Sequence, residues 1–272
     1  MSADLPADQR PDIEEDSVEA SRAPLLSHLT ELRSRLIWSF GALVIAAIGC
    51  FVFAEDIFNI FVTPFVTAYE RYSDGATPNL IFTAPLEFFF VKLRVALFAG
   101  FYVAFPIIAW QLYAFIAPGL YKNEKHVFLP FLLLTPVLFT AGILFVHLLM
   151  MPAVMEFSAS QQQLGEGAAV NIEAQLKVSE YLSLAIALMI AFGLSFQLPV
   201  VLSLMGRVGL IGTSTLRKGR KYAVVAILAA AAFLTPPDPL SQMMLAIPVY
   251  ALYEVSIWIV SMFERRAEGQ SV

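Results

Sequence analysis

The chain has 272 residues, of which 58% are hydrophobic and only 14% are charged, and its formal net charge is −5. Soluble domains are roughly 45–50% apolar and about 25% charged. The composition therefore excludes an ordinary soluble enzyme, a disordered chain and a nucleic-acid-binding protein, and it indicates a polytopic membrane protein.

The acidic charge is concentrated at the N-terminus, where seven Asp and Glu residues and one basic residue, Arg10, fall within the first 19 positions. Such a stretch has little apolar surface to bury, so we predict that residues 1–22 form a disordered cytoplasmic tail. A secretory signal begins basic and then turns apolar. This tail is acidic and polar instead, so the first apolar run is predicted to remain in place as a transmembrane helix.

The apolar runs predict an all-α polytopic membrane protein with six transmembrane helices. A helix needs about 20 apolar residues to cross the hydrocarbon core. The predicted membrane domain covers residues 23–264, and residues 265–272 form a second cytoplasmic tail. The predicted spans are 36–54, 88–117, 127–151, 181–206, 222–235 and 240–263.

Proline residues inside these runs predict kinked helices. They are Pro106, Pro130, Pro136, Pro199 and Pro248. Each removes a backbone hydrogen bond and bends or interrupts its helix. Six kinked helices of unequal length are expected to pack as a curved, concave slab rather than as a straight bundle.

Charge placement decides whether the short run 222–235 counts as a span. With six spans, 13 of the 17 Lys and Arg residues face one side of the membrane. The positive-inside rule makes that side the cytoplasm and places both termini there. A span this short would thin the membrane locally or border a cavity. The four basic residues on the other side are Arg71, Lys92, Arg94 and Lys177.

This topology places the segments 55–85 and 152–180 on the outer side and 118–126 and 207–221 on the inner side. No GxxxxGK[ST] loop occurs, so nothing indicates ATP hydrolysis. The single cysteine, Cys50, can form neither an internal disulfide nor a cysteine metal cluster. We predict no cofactor and no metal site.

Several polar residues require a reason for their position. As ordinary surface features, Glu31 would pair with Arg35 four positions later, and Glu124 would be a solvated charge in a short loop. Gln197 lies within span four and would form a hydrogen bond between helices. Glu254 lies within span six, where an ionisable group is costly, so we predict a functional or an essential structural role for it.

A polar cluster follows the proline-rich turn between spans five and six. It consists of Asp238, Ser241 and Gln242. Asp238 alone could be part of a rigid polar turn. Next to a short span, the cluster is also a plausible docking point for a polar group on another transmembrane helix.

Four motifs connect the chain to a known family. They are HLTELRSR at 28–35, FIAPGLYKNE at 115–124, FGLSFQLP at 192–199 and LTPPD at 234–238. In order and spacing they closely resemble TatC, the family of signal-receptor subunits of the twin-arginine protein translocase, over about residues 24–264.

The resemblance implies a receptor rather than an enzyme. It implies binding of the paired arginines in signal peptides of folded precursor proteins, at the cytoplasmic face of a bacterial inner membrane. Its expected partners are TatA- and TatB-type single-span subunits and further copies of itself. The proton-motive force, not ATP, is expected to drive transport.

The resemblance also implies site residues. It assigns the twin-arginine site to Glu31 and Glu124, together with His28 and Arg33, and a guanidinium fork suits a carboxylate. It assigns the contact with partner helices to the cluster of Asp238, Ser241 and Gln242. The family often has a carboxylate where this chain has Gln197, so no charge-dependent role is implied at that position.

Two other functions compete with this interpretation. A small-solute transporter would use Glu254 and Gln197 as a midplane site, but no pair of broken helices recurs in corresponding halves of the chain. An intramembrane hydrolase would need a nucleophile and base or a metal site. Neither GxSxG nor HExxH occurs, and the three histidines fall near different membrane boundaries.

Overall fold

The computed structural model describes residues 13–70, 79–116, 125–162, 175–234 and 239–268. These residues are almost entirely helical, which confirms the predicted all-α class. The helices are α1 (Ile13–Val52), α2 (Ala54–Glu70), α3 (Glu87–Ile116), α4 (Lys125–Phe145), a π-helical turn (Val146–Met150), α5 (Met151–Ser160), α6 (Val178–Ser195), α7 (Leu198–Arg207), α8 (Thr213–Leu234) and α9 (Pro239–Glu268).

Five stretches of the described residues are long and apolar enough to cross a membrane. They are His28–Val52, Glu87–Phe115, Pro130–Ser160, Val178–Arg207 and Gln242–Arg265. Helix α8 is not among them, although its 22 residues would extend about 33 Å. The reason is its charge, because Arg217, Lys218, Arg220 and Lys221 occupy its first turns. The short apolar run 222–235 therefore belongs to a longer helix, and the sixth span stays a prediction.

Proline interrupts the helices at fewer places than predicted. Span four divides into α6 and α7 at residues 196 and 197, and Pro199 lies in the first turn of α7. Proline fits there because its missing N–H has no partner in a first turn. Span three passes through the π-helical turn into α5, whose first turn also contains a proline. Pro106, Pro130, Pro136 and Pro248 remain inside continuous helices.

The helices pack as a layer with α1 at one edge. Helix α1 packs mainly against α3, whereas α8 packs against α9 and α9 against α7. Helices α3, α4 and α6 lie between these two groups. None of the residues in the most apolar window of α1 is buried by the rest of the protein. An edge position explains this exposure, because lipid replaces protein on the outer face of such a helix.

The largest buried cluster joins α2, α3, α5 and α6 and includes residues of α8 and α9. Its largest side chains include Phe65, Phe98, Met151, Tyr181 and Phe192. The Tyr181 hydroxyl lies inside this cluster and donates to the Phe61 carbonyl oxygen at 2.7 Å. The hydrogen bond removes the cost of burying the tyrosine oxygen in an apolar environment.

The two outer segments contain structure that the sequence analysis did not predict. Helix α2 occupies much of the segment 55–85, and α5 extends span three into the segment 152–180. Helices α2 and α5 pack against each other. A bridge also joins the two segments, because the N–H of Ile81 donates to Leu176 and the N–H of Val178 donates to Ile81.

Glycine allows the closest approach between α1 and α3. A Cβ built on Gly100 would lie 2.5 Å from backbone atoms of Ala47, which cannot rotate away. Gly41 lies in α1, and a Cβ built on it would meet open space among the described residues. Small residues at a helix contact allow the backbones to approach, which increases van der Waals packing in a membrane.

We expect Gly100→Ala to destabilise the protein by about 1–3 kcal/mol, the usual cost of overpacking. Gly41→Ala is the matched control, since a Cβ there meets no neighbour and removing a glycine from a helix interior gains about 1 kcal/mol. Thermal unfolding of both variants in detergent measures the difference. A Gly100→Ala protein as stable as Gly41→Ala would contradict the close packing of α1 on α3.

Candidate functional site

A polar cluster lies where the N-terminal half of α1 meets the last turn of α3. The carboxylate oxygen Oε1 of Glu31 accepts hydrogen bonds from Arg35 Nη2 at 2.6 Å and Arg35 Nε at 3.0 Å. Arg35 Nη1 donates to the side-chain oxygen of Gln111 on α3 at 3.3 Å. The ion pair expected from the spacing of Glu31 and Arg35 is therefore present and is also tied to a second helix.

The second oxygen of Glu31 remains open to a further cation. Glu31 Oε2 lies 3.9 Å from His28 Nδ1, and among the described residues no group donates a hydrogen bond to it. The Glu31 side chain is 34% exposed. A half-buried carboxylate with one oxygen held and one accessible can accept a charge-assisted hydrogen bond from a new donor.

The other two residues assigned to this site differ in their surroundings. The His28 ring stacks on Phe115 of α3, with ring centroids 4.3 Å apart and planes inclined by 17°. Arg33 is exposed on α1. Glu124 lies outside the described residues and directly precedes the first residue of α4 in the sequence.

Gln197 lies at the break between α6 and α7 and bonds to α4. Its Nε2 donates to the Thr135 carbonyl oxygen at 3.0 Å. The Thr135 hydroxyl lies 3.1 Å from the hydroxyl of Tyr113 on α3. Gln197 thus makes a hydrogen bond between helices, as its uncharged amide suggested. Its Oε1 is buried and has no partner among the described residues.

Glu254 of α9 forms an ion pair with Arg220 of α8. Its Oε2 accepts from Arg220 Nη2 at 2.7 Å, and its Oε1 accepts from the Tyr250 hydroxyl at 2.8 Å. Gln197 and Glu254 therefore bond to different helices, α4 and α8. The arrangement gives no support to a joint midplane site of the kind that a small-solute transporter would use.

Of the predicted docking cluster, one side chain is described. Gln242 Nε2 donates to the Leu228 carbonyl oxygen of α8 at 3.1 Å. Asp238 and the side chain of Ser241 lie outside the described residues. Large apolar side chains at this end of the two helices remain exposed, with Phe233 at 92% and Ile247 at 65%.

The comparison with protein families identifies the family of the chain. Residues 27–248 match the family model for the Sec-independent protein translocase protein (TatC). The chain belongs to the TatC family. This confirms the resemblance carried by the four sequence motifs. The chain is therefore a component of the twin-arginine protein translocase and a multi-pass membrane protein.

Relatives and solved structures agree with this assignment. The TatC protein of Magnetococcus marinus is 42% identical over 92% of this chain and 88% of its own length. The TatC protein of Escherichia coli K12 is 34% identical over 89% of each chain. A crystal structure of the twin-arginine translocase receptor TatC superimposes with a TM-score of 0.75 at 34% identity, and it covers 87% of this chain and 99% of that one.

In this TatC chain, sequence reasoning missed the α3 side of the polar cluster. Gln111 and Phe115 are four positions apart on one helix face and contact Arg35 and His28 respectively. Phe115 opens one of the four family motifs, which was a usable signal. Gln111 lies outside every motif, and its contact with a residue 76 positions away requires the packing of α1 on α3.

The ion pair of Arg220 and Glu254 gives a test of the α8–α9 contact. We expect Arg220→Gln to destabilise the protein by about 0.5–1 kcal/mol in neutral detergent, because it leaves Glu254 without the cation of a partly exposed ion pair. The double variant Arg220→Gln, Glu254→Gln should recover part of this loss. Lys218→Gln is the control, since Lys218 is exposed on the same helix and forms no ion pair with another described residue. Equal unfolding temperatures for both single variants would contradict the role of the pair.

Proposed function

We propose that the chain is the receptor subunit of the translocase and binds the twin-arginine region of signal peptides at the cytoplasmic face. The observation that carries the proposal is the Glu31 carboxylate, which is held on one oxygen by Arg35 and open on the other. The similar solved structure is titled as a twin-arginine translocase receptor, which supports the same role for this chain.

The proposed contact uses two carboxylates on different elements. One guanidinium of the signal peptide binds Glu31 Oε2, and the neighbouring guanidinium binds Glu124. The last turn of α3 contacts the Glu31 cluster through Phe115, and Glu124 lies nine positions after that residue in the chain. Nine positions of chain are short enough to bring a second carboxylate to the same peptide.

Arginine suits this arrangement better than lysine. A guanidinium is planar, stays charged and offers a fixed fork of donors, whereas an ammonium is a strongly hydrated point charge. The carboxylate of Glu31 already accepts a guanidinium from Arg35, which shows that its surroundings accommodate that planar group. His28 and Arg33 would border the bound peptide from the same helix.

The remaining parts of the proposal concern membrane placement and partners. We place the chain in a bacterial inner membrane with six spans and both termini in the cytoplasm, as the distribution of basic residues favours. TatA- and TatB-type helices would dock at the outer end of α8 and α9, near Asp238, Ser241 and Gln242. The exposed Phe233 and Ile247 provide apolar surface for such helices at that end. The subunit binds and assembles rather than catalyses, and the proton-motive force drives transport.

The test is site-specific crosslinking of a twin-arginine signal peptide to the full chain in membranes. We expect Glu31→Gln together with Glu124→Gln to lower capture at least about tenfold, since a hydrogen bond between charged groups contributes about 1.5–3 kcal/mol. A twin-lysine peptide should be captured weakly by the unaltered chain. Glu180→Gln is the control, because Glu180 is an exposed carboxylate at the other end of the layer.

Equal capture of the lysine peptide, combined with no effect of the glutamate substitutions, would overturn the carboxylate site. Loss of capture in Glu180→Gln as well would show that the substitutions act through general negative charge. Capture that requires both the arginines and the two glutamates would establish the receptor role and its site.

A further inference from the structure

A groove of about 250 Å³ lies between the first turns of α8 and the second half of α9. Its polar lining consists of Arg217 and Arg220 from α8 and Glu254, Ser261 and Arg265 from α9, with the ring of Trp258 between them. The receptor proposal uses none of these residues, and neither does the docking cluster at the opposite end of α8 and α9.

The groove has an excess of positive charge. Its three guanidinium groups face one carboxylate, Glu254, which is already paired with Arg220 at 2.7 Å. Arg217 and Arg265 are both exposed. Arg217 interacts electrostatically with Glu254, but the ion pair of Glu254 is made with Arg220. Two guanidinium groups therefore line the groove without forming an ion pair with another described residue.

The groove extends from the middle of α9 to the end of its membrane-spanning stretch. Glu254, Trp258 and Arg265 are spaced at i, i+4 and i+11, so they share one helix face. The face extends about 16 Å at 1.5 Å per residue. At its far end the Thr213 N–H donates to Glu264 Oε1 at 2.8 Å, which joins the start of α8 to the end of α9.

Trp258 connects this charged groove to the lipid. It lines the groove and is still 65% exposed. Tryptophan is enriched where a membrane protein meets the headgroup region, since its ring is apolar and its N–H is polar. A ligand in the groove would therefore contact guanidinium groups and an apolar, membrane-facing ring at the same time.

We propose that this groove binds the phosphate of an anionic phospholipid headgroup. Guanidinium forks match the oxygens of a phosphate, and basic pockets between transmembrane helices recognise anionic headgroups. Arg217 and Arg265 bind the phosphate, Ser261 donates a further hydrogen bond, and the glycerol and upper acyl chain lie along Trp258. Because one carboxylate faces three arginines and forms its ion pair with Arg220, the net positive charge gives the groove its preference for anionic over zwitterionic lipid.

The proposal is tested by native mass spectrometry of the full chain purified in detergent and titrated with phosphatidylglycerol or phosphatidylcholine. We expect a tightly retained phosphatidylglycerol and a much weaker phosphatidylcholine. Arg217→Gln with Arg265→Gln should lower phosphatidylglycerol affinity roughly 30-fold, since each basic group near the surface contributes about 1 kcal/mol. The matched control is Lys218→Gln with Lys221→Gln, which removes two exposed charges from the same turns of α8 that do not line the groove.

Three results would overturn the proposal. Equal losses in both double variants would mean that lipid responds only to the general surface charge. Full competition by excess inorganic phosphate, with no preference between the two lipids, would mean that the groove takes free phosphate rather than a headgroup.

A measurement on the unaltered chain does not depend on any variant folding. Phosphatidylglycerol should raise the unfolding temperature more than phosphatidylcholine, because ligands that bind the folded state stabilise it. Equal shifts would contradict the site.

Discussion

The hydrocarbon core makes an unpaired charge costly, so a charged side chain within a span favours a partner on a neighbouring helix. Glu254 within α9 is paired with Arg220 of α8, and this pair connects the two helices. Lys92 of α3 is paired with Glu55 at the start of α2. Each ion pair therefore places a charged side chain beside a second helix.

The same constraint accounts for the chemistry of the proposed recognition site. Arg35 holds one oxygen of Glu31, and among the described residues no group donates a hydrogen bond to the other. Packing of α1 on α3 adds Gln111 to Arg35 and Phe115 to His28. A site of this kind recognises a cation by exchanging or adding hydrogen bonds, without burying a new charge completely.

Apolar run length and residue spacing predicted the all-helical class and the pairing of Glu31 with Arg35, since each is a local property of the chain. Five of the six predicted spans correspond to apolar stretches of the described residues. Helix α2 was not predicted. Its buried face, with Phe61 and Phe65, is covered by residues distant in the sequence, because α2 packs against α5. The full length of α8 was not predicted. A span identified by hydropathy stops at the basic residues, whereas the helix itself continues through them. The partners of Glu254 and the α3 side of the Glu31 cluster depend on contacts between residues 34 and 76 positions apart.

The most direct measurement is a double-mutant cycle on purified full chain and a twin-arginine signal peptide, with Glu31→Gln on one side and an arginine-to-glutamine change in the peptide on the other. Titration of the four combinations gives the coupling energy between the two groups. A direct contact predicts a coupling of about 1.5 kcal/mol or more for one of the two peptide arginines, as found for close charge pairs. A coupling near zero for both arginines would contradict recognition through Glu31.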